Sequence, residues 1–366
     1  MNHLSFTMPK LINQDGFSTA FSLLNAKTMN TLPVELQPAA ALIIDWLEGT
    51  PFFEIQTSGS TGKPKRITLE QDKIEYSALQ TANSFGLMPG DTLLCCLGLH
   101  YIAGFMMVMR AIVNDCNLVM APQISNPLAD ISDHVKIDFA AFVPIQMETM
   151  LNDSHAVKMM NKMKAILVGG AALSASLEEK LQVLDVPVFH TYSMTETYTH
   201  VATRRINGDL KSASYTPMPR VAISLDPRGC LIISSYLTNN KPLITNDLAE
   251  IQSDGAFILI GRADNIINSG GVKIQLEKIE AICGQVFSSL DLNPLFFAVG
   301  IPDEKLGEKL VLIIEGDRWK KEMINYFNDQ LSMLLDKYEV PKKIMFLDKI
   351  LLTRTGKIDR KGTLTI

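Results

Sequence analysis

Cysteine is scarce in this chain of 366 residues, and its arrangement argues against a disulfide framework. The five cysteines are Cys95, Cys96, Cys116, Cys230 and Cys283, an odd number with no CxxC pair among them. Free, buried thiols in a reducing compartment are therefore expected, which predicts a cytoplasmic protein.

Runs of positive charge are also missing. No stretch of five or more lysines and arginines occurs, and the formal net charge is -5. A nucleic-acid partner or an anionic membrane surface is therefore not expected. The amino terminus lacks a basic region followed by an apolar core, so no secretory signal is predicted. There is no internal repeat and no low-complexity segment.

One stretch is apolar enough to raise the question of a membrane helix. Between Leu93 and Met109 the only side chain of an acidic or basic type is His100. Gly98 and Gly104 interrupt this stretch, which is shorter than the roughly 20 residues that a spanning helix needs. We interpret it as a buried strand followed by a buried helix.

Apolar periodicity predicts the α/β class. Strands are expected over 92–99, 117–121, 138–143, 165–168 and 186–190, with helices over 104–113, 145–152 and 176–184. This alternation predicts a large N-terminal domain of packed, mostly parallel sheets with covering helices. From about 212 to 260 strand follows strand, which predicts an antiparallel appendage.

The pattern changes near Gly261. A helix over 275–283, strands over 296–301 and 309–315, and a helix over 319–336 predict a small α+β domain. We therefore expect an N-terminal domain over 1–260 and a C-terminal domain over 261–366.

The segment Thr57–Lys65 reads TSGSTGKPK and concentrates hydroxyls, glycines and lysines. Glycines let backbone N–H groups approach an anion, hydroxyls add donors, and lysines add positive charge. The spacing from Gly59 to Gly62 does not match a Walker P-loop, and Pro64 has no N–H to donate. Taken alone, the segment fits either a phosphate-binding loop or a solvated Ser/Gly linker.

Further motifs follow in an order that resembles the adenylate-forming superfamily of acyl-CoA synthetases, luciferases and peptide-synthetase adenylation domains. They are YSMTET at 192–197, TND at 245–247, GRAD at 261–264 and LTRTGKIDR at 352–360. Ser193 and Asn246 replace glycines of the usual motifs, and the proline that usually precedes the position of Lys357 is missing.

The resemblance implies an ATP-dependent ligase that activates a carboxylic acid as an acyl-adenylate. Mg²⁺ would be the metal, and coenzyme A the acyl acceptor. Because the acid and the phosphate are both anionic, the protein must neutralise charge and hold the two reactants in line.

The same resemblance assigns roles to individual residues. The phosphates would be bound by Thr57, Ser58, Gly59, Ser60, Thr61, Gly62 and Lys65, and the nucleotide by Gly169, Gly170, Ala171, Tyr192, Asp247 and Arg262. Glu196 would be the metal ligand, and Thr195, Glu196 and Lys357 the catalytic residues. Asp264 would be the hinge about which a mobile C-terminal domain moves. Gly270 and Gly271 would line the channel for the thiol of coenzyme A.

Several of these assignments have a plainer alternative. These are a helix-capping pair at Thr195 and Glu196, a core tyrosine at Tyr192, a turn aspartate at Asp264, a surface lysine at Lys357, and flexible glycines at 270 and 271.

The acid pocket is predicted to be lined by the strand and helix around 100–110, by the turn at 170–172 and by the segment after Glu196. The run LGLHYIAGF at 97–105 resembles the aromatic-gate motif, with Tyr101 at the gate. Arg110 lies nine residues further on, in an apolar helix, where a buried guanidinium is costly unless it is paired. A second carboxylate on the substrate would pair with it, and a protein carboxylate, Asp115 or Asp138, is the alternative.

The chain resembles o-succinylbenzoate–CoA ligases of menaquinone biosynthesis within this superfamily. The MxxR pattern at 107–110 and MTET at 194–197 carry that resemblance. Thr199 and His200 would add hydrogen bonds to the same acid. Two other functions stay open, a free-standing enzyme that loads a carrier protein and a non-catalytic nucleotide-binding homologue. A homo-oligomer is also left open.

Overall fold

The computed structural model describes residues 8–56, 66–353 and 358–365. Contacts divide the chain into two compact units. One consists of Met1–Ala172, Lys180–Ala222 and Ser234–Pro242, and the other of Leu173–Glu179, Ile223–Ile233 and Leu243–Ile366. The predicted α/β class is confirmed, and the division at residue 261 stays a prediction.

The first part of the chain alternates strands and helices. The described strands before residue 222 are β1 (Lys10–Asn13), β2 (Ser18–Ala20), β3 (Phe52–Gln56), β4 (Arg66–Glu70), β5 (Thr92–Cys95), β6 (Asn117–Met120), β7 (Phe139–Phe142), β8 (Ala165–Val168), β9 (Val188–Ser193), β10 (His200–Arg205) and β11 (Thr216–Pro217). The described α-helices of this part are α1 (Ala26–Met29), α2 (Gln37–Leu47), α3 (Gln71–Phe85), α4 (Ile102–Val113), α5 (Pro144–Met150), α6 (Ser154–Met160) and α7 (Ala175–Lys180).

The main sheet runs in the order β11-β10-β9-β8-β7-β5-β6-β1-β2. The five pairings from β9 through β8, β7, β5 and β6 to β1 are parallel, and antiparallel pairs lie at both ends. Strands β5 and β8 are buried along their whole length because apolar side chains point to both faces. The carboxyl ends of β5, β7, β8 and β9 therefore meet at one edge, where α/β proteins bind ligands.

The apolar stretch after Leu93 is a short strand and a buried helix, as predicted. β5 ends at Cys95, earlier than expected, because a turn follows in which the Tyr101 N–H donates to Gly98 O at 3.1 Å. Gly104 allows α4 to approach this turn, since a Cβ there would clash with the carbonyls of Leu97 and Gly98. No helix in the described parts of the chain is long and apolar enough to cross a membrane.

The second part of the chain begins with antiparallel strands. Its described strands are β12 (Ala222–Leu225), β13 (Cys230–Ser234), β14 (Leu243–Ile251), β15 (Phe257–Arg262), β16 (Ile266–Ser269), β17 (Val272–Gln275), β18 (Phe296–Asp303), β19 (Gly307–Glu315) and β20 (Lys343–Leu347). Its described α-helices are α8 (Leu276–Ser289), α9 (Lys321–Leu334) and α10 (Arg360–Leu364).

Strands β12-β13-β14-β15 form one sheet, antiparallel from β13 to β15, which confirms the predicted appendage. Strands β17-β16-β19-β18, with β20 beside β19, form another. Helix α8 ends at Ser289, beyond the predicted residue 283, because Val286 and Phe287 continue its buried face. Phe287 of α8 stacks against Phe327 of α9 at 4.8 Å and closes the core beneath this sheet.

The five cysteines are all buried and free, as the sequence predicted. Burial raises the pKa of Cys95 to about 11 and that of Cys116 to about 12. Thiols with such pKa values stay protonated near neutral pH and behave as small apolar side chains.

Candidate active site

The turn after β8 lies at the carboxyl edge of the main sheet. It contains Gly169 and Gly170, and Gly170 has φ +86°, a conformation that favours glycine. A Cβ at Gly169 would collide with Thr191 Oγ1, so the turn packs directly on β9. Nε2 of His190, also on β9, lies 3.0 Å from Ala171 O. The predicted nucleotide residues Gly169–Ala171 thus form a turn braced by its neighbouring strand.

Strand β9 ends in the segment that carries Tyr192, Thr195 and Glu196. Tyr192 is buried, with its ring 6.2 Å from that of Tyr215. Thr195–Thr197 form a single 3-10 turn without a side-chain cap, so the capping alternative for Thr195 and Glu196 is wrong. Glu196 is exposed and makes no ion pair with any residue that the structure describes. Its carboxylate is available to a cation.

The predicted phosphate residues lie outside the described residues. These are Thr57, Ser58, Gly59, Ser60, Thr61, Gly62 and Lys65. The flanking strands are described, and Gln56 of β3 is paired in register with Arg66 of β4. The Gln56 N–H also donates to His100 O at 3.0 Å, and Gln56 forms a parallel bridge with Tyr101. The described end of β3, which precedes position 57, therefore lies beside the predicted gate residue.

Tyr101 lies at the amino end of α4, where it is the N-cap residue. Its ring and that of His100 are 4.6 Å apart, and Tyr101 is half-buried while His100 is exposed. The start of α4 thus places Tyr101 between the end of β5 and the flank of the segment 57–65.

Arg110 of α4 is buried, with only 3% of its surface exposed. Its Nε donates to Thr81 Oγ1 at 3.3 Å, and its Nη2 donates to Thr199 Oγ1 at 2.5 Å. His200 lies within the same cluster, 3.1 Å from Thr199 Oγ1 and 3.4 Å from Thr81 Oγ1. The structure therefore brings together three of the four residues predicted to bind the acid, namely Arg110, Thr199 and His200.

The alternative partners of Arg110 are wrong. Asp138 pairs with Lys136 at 2.5 Å, and neither Asp138 nor Asp115 forms an ion pair with Arg110. Burial lowers the pKa of Arg110 to about 10, and no carboxylate among the described residues offsets this effect. The guanidinium thus keeps its charge at neutral pH, while hydroxyl groups are its hydrogen-bond partners.

Helix α3 contributes residues that sequence reasoning missed. Thr81 is fully buried and accepts a hydrogen bond from Arg110, while the buried atoms Ser77 Oγ and Gln80 Oε1 have no hydrogen-bond partner among the described residues. A signal for them existed, because polar residues at 73, 77, 80 and 81 follow helical spacing beside the apolar positions Ile74, Ala78 and Ala82. These polar side chains are all buried, so this stripe of α3 faces the core rather than solvent.

A second group of predicted residues lies on β14 and β15. Asp247 and Arg262 are paired in register, and Arg262 Nη1 donates to Asp247 Oδ1 at 3.0 Å. Arg262 also binds Asp264 through two hydrogen bonds of 2.8 Å. The residues predicted to bind ribose and to act as the hinge are therefore connected by one guanidinium.

Gly270 and Gly271 form the turn between β16 and β17. Their φ angles are +62° and +85°, as a two-residue hairpin requires. A Cβ at Gly271 would meet nothing within 4 Å, whereas one at Gly270 would lie 3.1 Å from Leu306 Cδ2. Gly271 thus faces open space.

Lys357 lies outside the described residues, but its flanks are described. Leu352 pairs with Ile358, and the Asp359 N–H donates to Leu351 O at 2.8 Å. Arg360 forms an ion pair with Glu280 of α8 at 2.8 Å. Burial raises the pKa of Glu280, and the charge of Arg360 acts in the opposite direction.

The family model described as AMP-binding enzyme matches residues 38–230. Among curated proteins, the 2-succinylbenzoate–CoA ligase of Lactococcus lactis is 27% identical over 97% of this chain and 78% of its own length. The enzyme of that name from Listeria monocytogenes is 24% identical over 83% of this chain and 68% of its own length.

Solved structures show the same fold. An acyl-CoA synthetase (AMP-forming)/AMP-acid ligase II-like protein from Dyadobacter fermentans is 38% identical, with a TM-score of 0.62 over 93% of this chain and 97% of that one. The o-succinylbenzoate CoA synthetase of Bacillus subtilis, in complex with its acyl-adenylate intermediate, is 21% identical with a TM-score of 0.72, over 86% of this chain and 68% of that one.

Proposed function

The chain belongs to the AMP-binding enzyme family, and from this premise we propose that it is an AMP-forming ligase that converts 2-succinylbenzoate to its CoA thioester. In the first half-reaction a carboxylate oxygen attacks the α-phosphorus of ATP and pyrophosphate leaves. In the second half-reaction the thiolate of CoA attacks the acyl carbon and AMP leaves.

The buried charge of Arg110 is the observation that supports 2-succinylbenzoate as the acid. A cation that lacks a carboxylate partner among the described residues is stabilised when an anion enters its site. 2-Succinylbenzoate has two carboxylates, one to react and one to pair with Arg110. The curated relatives bear the name of this activity, which supports the same acid.

The polar face of α3 supports a polar substrate rather than a fatty acid. Buried hydrogen-bonding atoms are rarely left without partners. Ser77 Oγ and Gln80 Oε1 have none among the described residues, and Ser77 lies one turn before Thr81, which bonds Arg110. An oxygen-rich acid supplies the missing partners, whereas an alkyl chain leaves them unpaired and raises the cost of binding.

The nucleotide would bind at the carboxyl edge of the main sheet. The turn at Gly169–Ala171 permits close approach, and Tyr192 lies on the adjoining strand. Asp247, held by Arg262, offers carboxylate oxygens that suit the ribose hydroxyls. The residues of 57–65 would bind the phosphates.

The donor set fits Mg²⁺. The described residues include no cluster of three or more His, Cys, Asp or Glu side chains that could hold a metal alone, and Glu196 is an exposed carboxylate. Mg²⁺ typically takes one or two carboxylates together with phosphate oxygens and water, so Glu196 would hold it with ATP. When bound, the ion would offset the charge of the phosphates, while Thr195 donates to the α-phosphate.

Lys357 would contact the reacting carboxylate and the α-phosphate during adenylation. The domain over 261–366 would then rotate about Asp264, removing Lys357 and bringing Gly270 and Gly271 to the thiol channel. The five buried, free cysteines fit a cytoplasmic enzyme.

The test is pyrophosphate release with ATP, Mg²⁺ and 2-succinylbenzoate, with and without CoA, and with benzoate and a fatty acid as comparisons. Formation of 2-succinylbenzoyl-CoA, identified by mass, is the expected result. Activation of another acid instead would overturn the choice of 2-succinylbenzoate but not the ligase activity. Pyrophosphate release that does not change with CoA, together with acyl transfer to a carrier protein, would overturn CoA as the acceptor.

A further inference from the structure

Arg110 and three other side chains form a closed ring of hydrogen bonds. Arg110 contacts Thr81 and Thr199, and His200 contacts the same two threonines from the other side. Thr81 Oγ1 also donates to Ser77 O at 3.0 Å, one turn earlier on α3. The ring joins α3, α4 and the start of β10 within one compact unit.

The number of protons available fixes the direction of each bond. Thr81 has one hydroxyl proton, and it is donated to Ser77 O, so Thr81 Oγ1 must accept from both Arg110 Nε and His200 Nε2. His200 therefore carries its proton on Nε2. Thr199 Oγ1 accepts from Arg110, which leaves its own proton for Nδ1 of His200.

This pattern requires a neutral imidazole, because Nδ1 must accept. The surroundings of His200 favour that form. The side chain is 2% exposed, and burial, followed by the nearby charge of Arg110, lowers its pKa well below the usual range. The ring edge of Phe85 closes one side, with centroids 5.9 Å apart.

We propose that His200 is a positioning residue, which orients Arg110 and Thr199 for the second carboxylate of the acid without touching that acid. Both of its ring nitrogens are bonded to threonines, so neither remains for a ligand. The arrangement uses His200 as a rigid bridge with one acceptor and one donor at fixed separation. The identity of the acid in this inference rests on the proposed function. The tautomer of His200 follows from the hydrogen bonds alone.

The bridge also explains why a hydroxyl at 199 suffices beside a buried cation. With its proton directed to His200, the Thr199 oxygen presents lone pairs to the guanidinium. If Nδ1 of His200 no longer accepted, the Thr199 hydroxyl would be free to rotate, and Arg110 would lose its fixed orientation. A misplaced Arg110 would slow the reaction of an acid whose second carboxylate it positions more than the reaction of an acid that lacks this group.

The kinetic test compares His200→Leu with His200→Gln, which keeps one donor and one acceptor. For 2-succinylbenzoate, His200→Leu should lower kcat/KM roughly ten- to a hundredfold, as expected for loss of buried hydrogen bonds to a charged network. For benzoate the loss should stay below about threefold, and the KM for ATP should not change. His200→Gln should recover most of the loss.

His155→Leu is the matched control. His155 lies on α6, where Nε2 contacts Ile131 O at 3.1 Å and Nδ1 lies 3.5 Å from Asp133, and neither partner is assigned to the reaction. His155→Leu should leave the ratio of kcat/KM for 2-succinylbenzoate to kcat/KM for benzoate unchanged. Equal losses with both acids, or a glutamine variant as poor as the leucine variant, would overturn the positioning role.

A second measurement does not depend on the acid. Nitrogen-15 NMR of the imidazoles in the unliganded wild-type protein reports the tautomer of each histidine, and His200→Gln identifies the signals of His200. The Nε2–H tautomer should persist from pH 8 to pH 6. An Nδ1–H tautomer or an imidazolium at pH 6 would overturn the bridge even if 2-succinylbenzoate is turned over. Conversely, if 2-succinylbenzoate is not a substrate but His200 shows the expected tautomer, the proposed substrate is wrong and the hydrogen-bonded bridge is right.

Discussion

Arg262 holds Asp264 through two parallel hydrogen bonds of 2.8 Å, the fork geometry in which a guanidinium binds a carboxylate. The same guanidinium donates to Asp247 at 3.0 Å. If Asp264 is the hinge, its dihedral changes are coupled to the side chain that supports the ribose site. Rotation of the hinge would then have to release or carry along Arg262.

This contact makes a prediction about pH. The hydrogen bonds from Arg262 hold the pKa of Asp264 below its usual range. Because folding lowers the pKa of this carboxyl, the contribution of the contact to stability is present at neutral pH and is lost as pH falls through the folded-state pKa. A carbon-13 NMR titration should find Asp264 at a lower pKa than ordinary aspartates, and Arg262→Gln should raise it. An unchanged pKa in that variant would show that Arg262 does not set it.

Lys357 gives a prediction about the first half-reaction. Lys357→Ala should nearly abolish pyrophosphate release and leave the Kd of ATP largely intact, because the lysine acts on charge that develops during reaction. Lys361→Ala is a matched control, since Lys361 is exposed on the neighbouring helix α10. Equal adenylation rates in Lys357→Ala and wild type would remove Lys357 from the mechanism.

Apolar periodicity and contiguous sequence motifs were enough to predict the elements that depend on local sequence. Strand 165–168 was found at its predicted bounds because four buried apolar residues are followed at once by Gly169. Helix α8 was predicted too short because its last turns depend on Phe287 packing against α9, a contact distant in sequence.

The acid pocket shows the same limit. Arg110 was predicted to need a partner, and the protein groups considered were the carboxylates of Asp115 and Asp138. Its actual contacts are hydroxyls of Thr81 and Thr199, which lie 29 and 89 positions away. Helical periodicity indicated that Thr81 faces the core, but only the packing of α3 on α4 could show what it meets there.

Gly271 gives a prediction about the second half-reaction. Gly271→Trp should spare pyrophosphate release and slow thioester formation, because the bulky ring would enter the proposed thiol channel. The positive φ of Gly271 adds backbone strain to any substitution, so Gly271→Asn, which tolerates that conformation, is the first control.

Gly255 offers a second control for the strain itself. It has φ +84° in the turn between β14 and β15, and a Cβ there would also meet nothing within 4 Å. Gly255→Trp should leave both half-reactions unchanged. A comparable loss of both half-reactions in Gly271→Trp would indicate that Gly271 serves folding.

Arg110 gives the prediction that decides the substrate. Arg110→Leu should severely impair 2-succinylbenzoate, since removing one partner of a desolvated charge pair typically costs about 2–5 kcal/mol. At tenfold per 1.4 kcal/mol, this is roughly a thirty- to several-thousand-fold loss in kcat/KM. Benzoate never makes the contact, so its loss should be smaller.

The variant must fold for that comparison to have meaning. Leucine removes a buried charge along with its hydrogen bonds, and Thr81 and Thr199 lose a donor each. The thermal midpoint of Arg110→Leu should therefore be measured beside that of Thr81→Val, which alters the same ring and keeps the cation. Unequal losses for the two acids at similar midpoints assign Arg110 to the second carboxylate. Equal losses would make Arg110 a structural residue, and no turnover of 2-succinylbenzoate by the wild type would exclude that acid while leaving the family assignment in place.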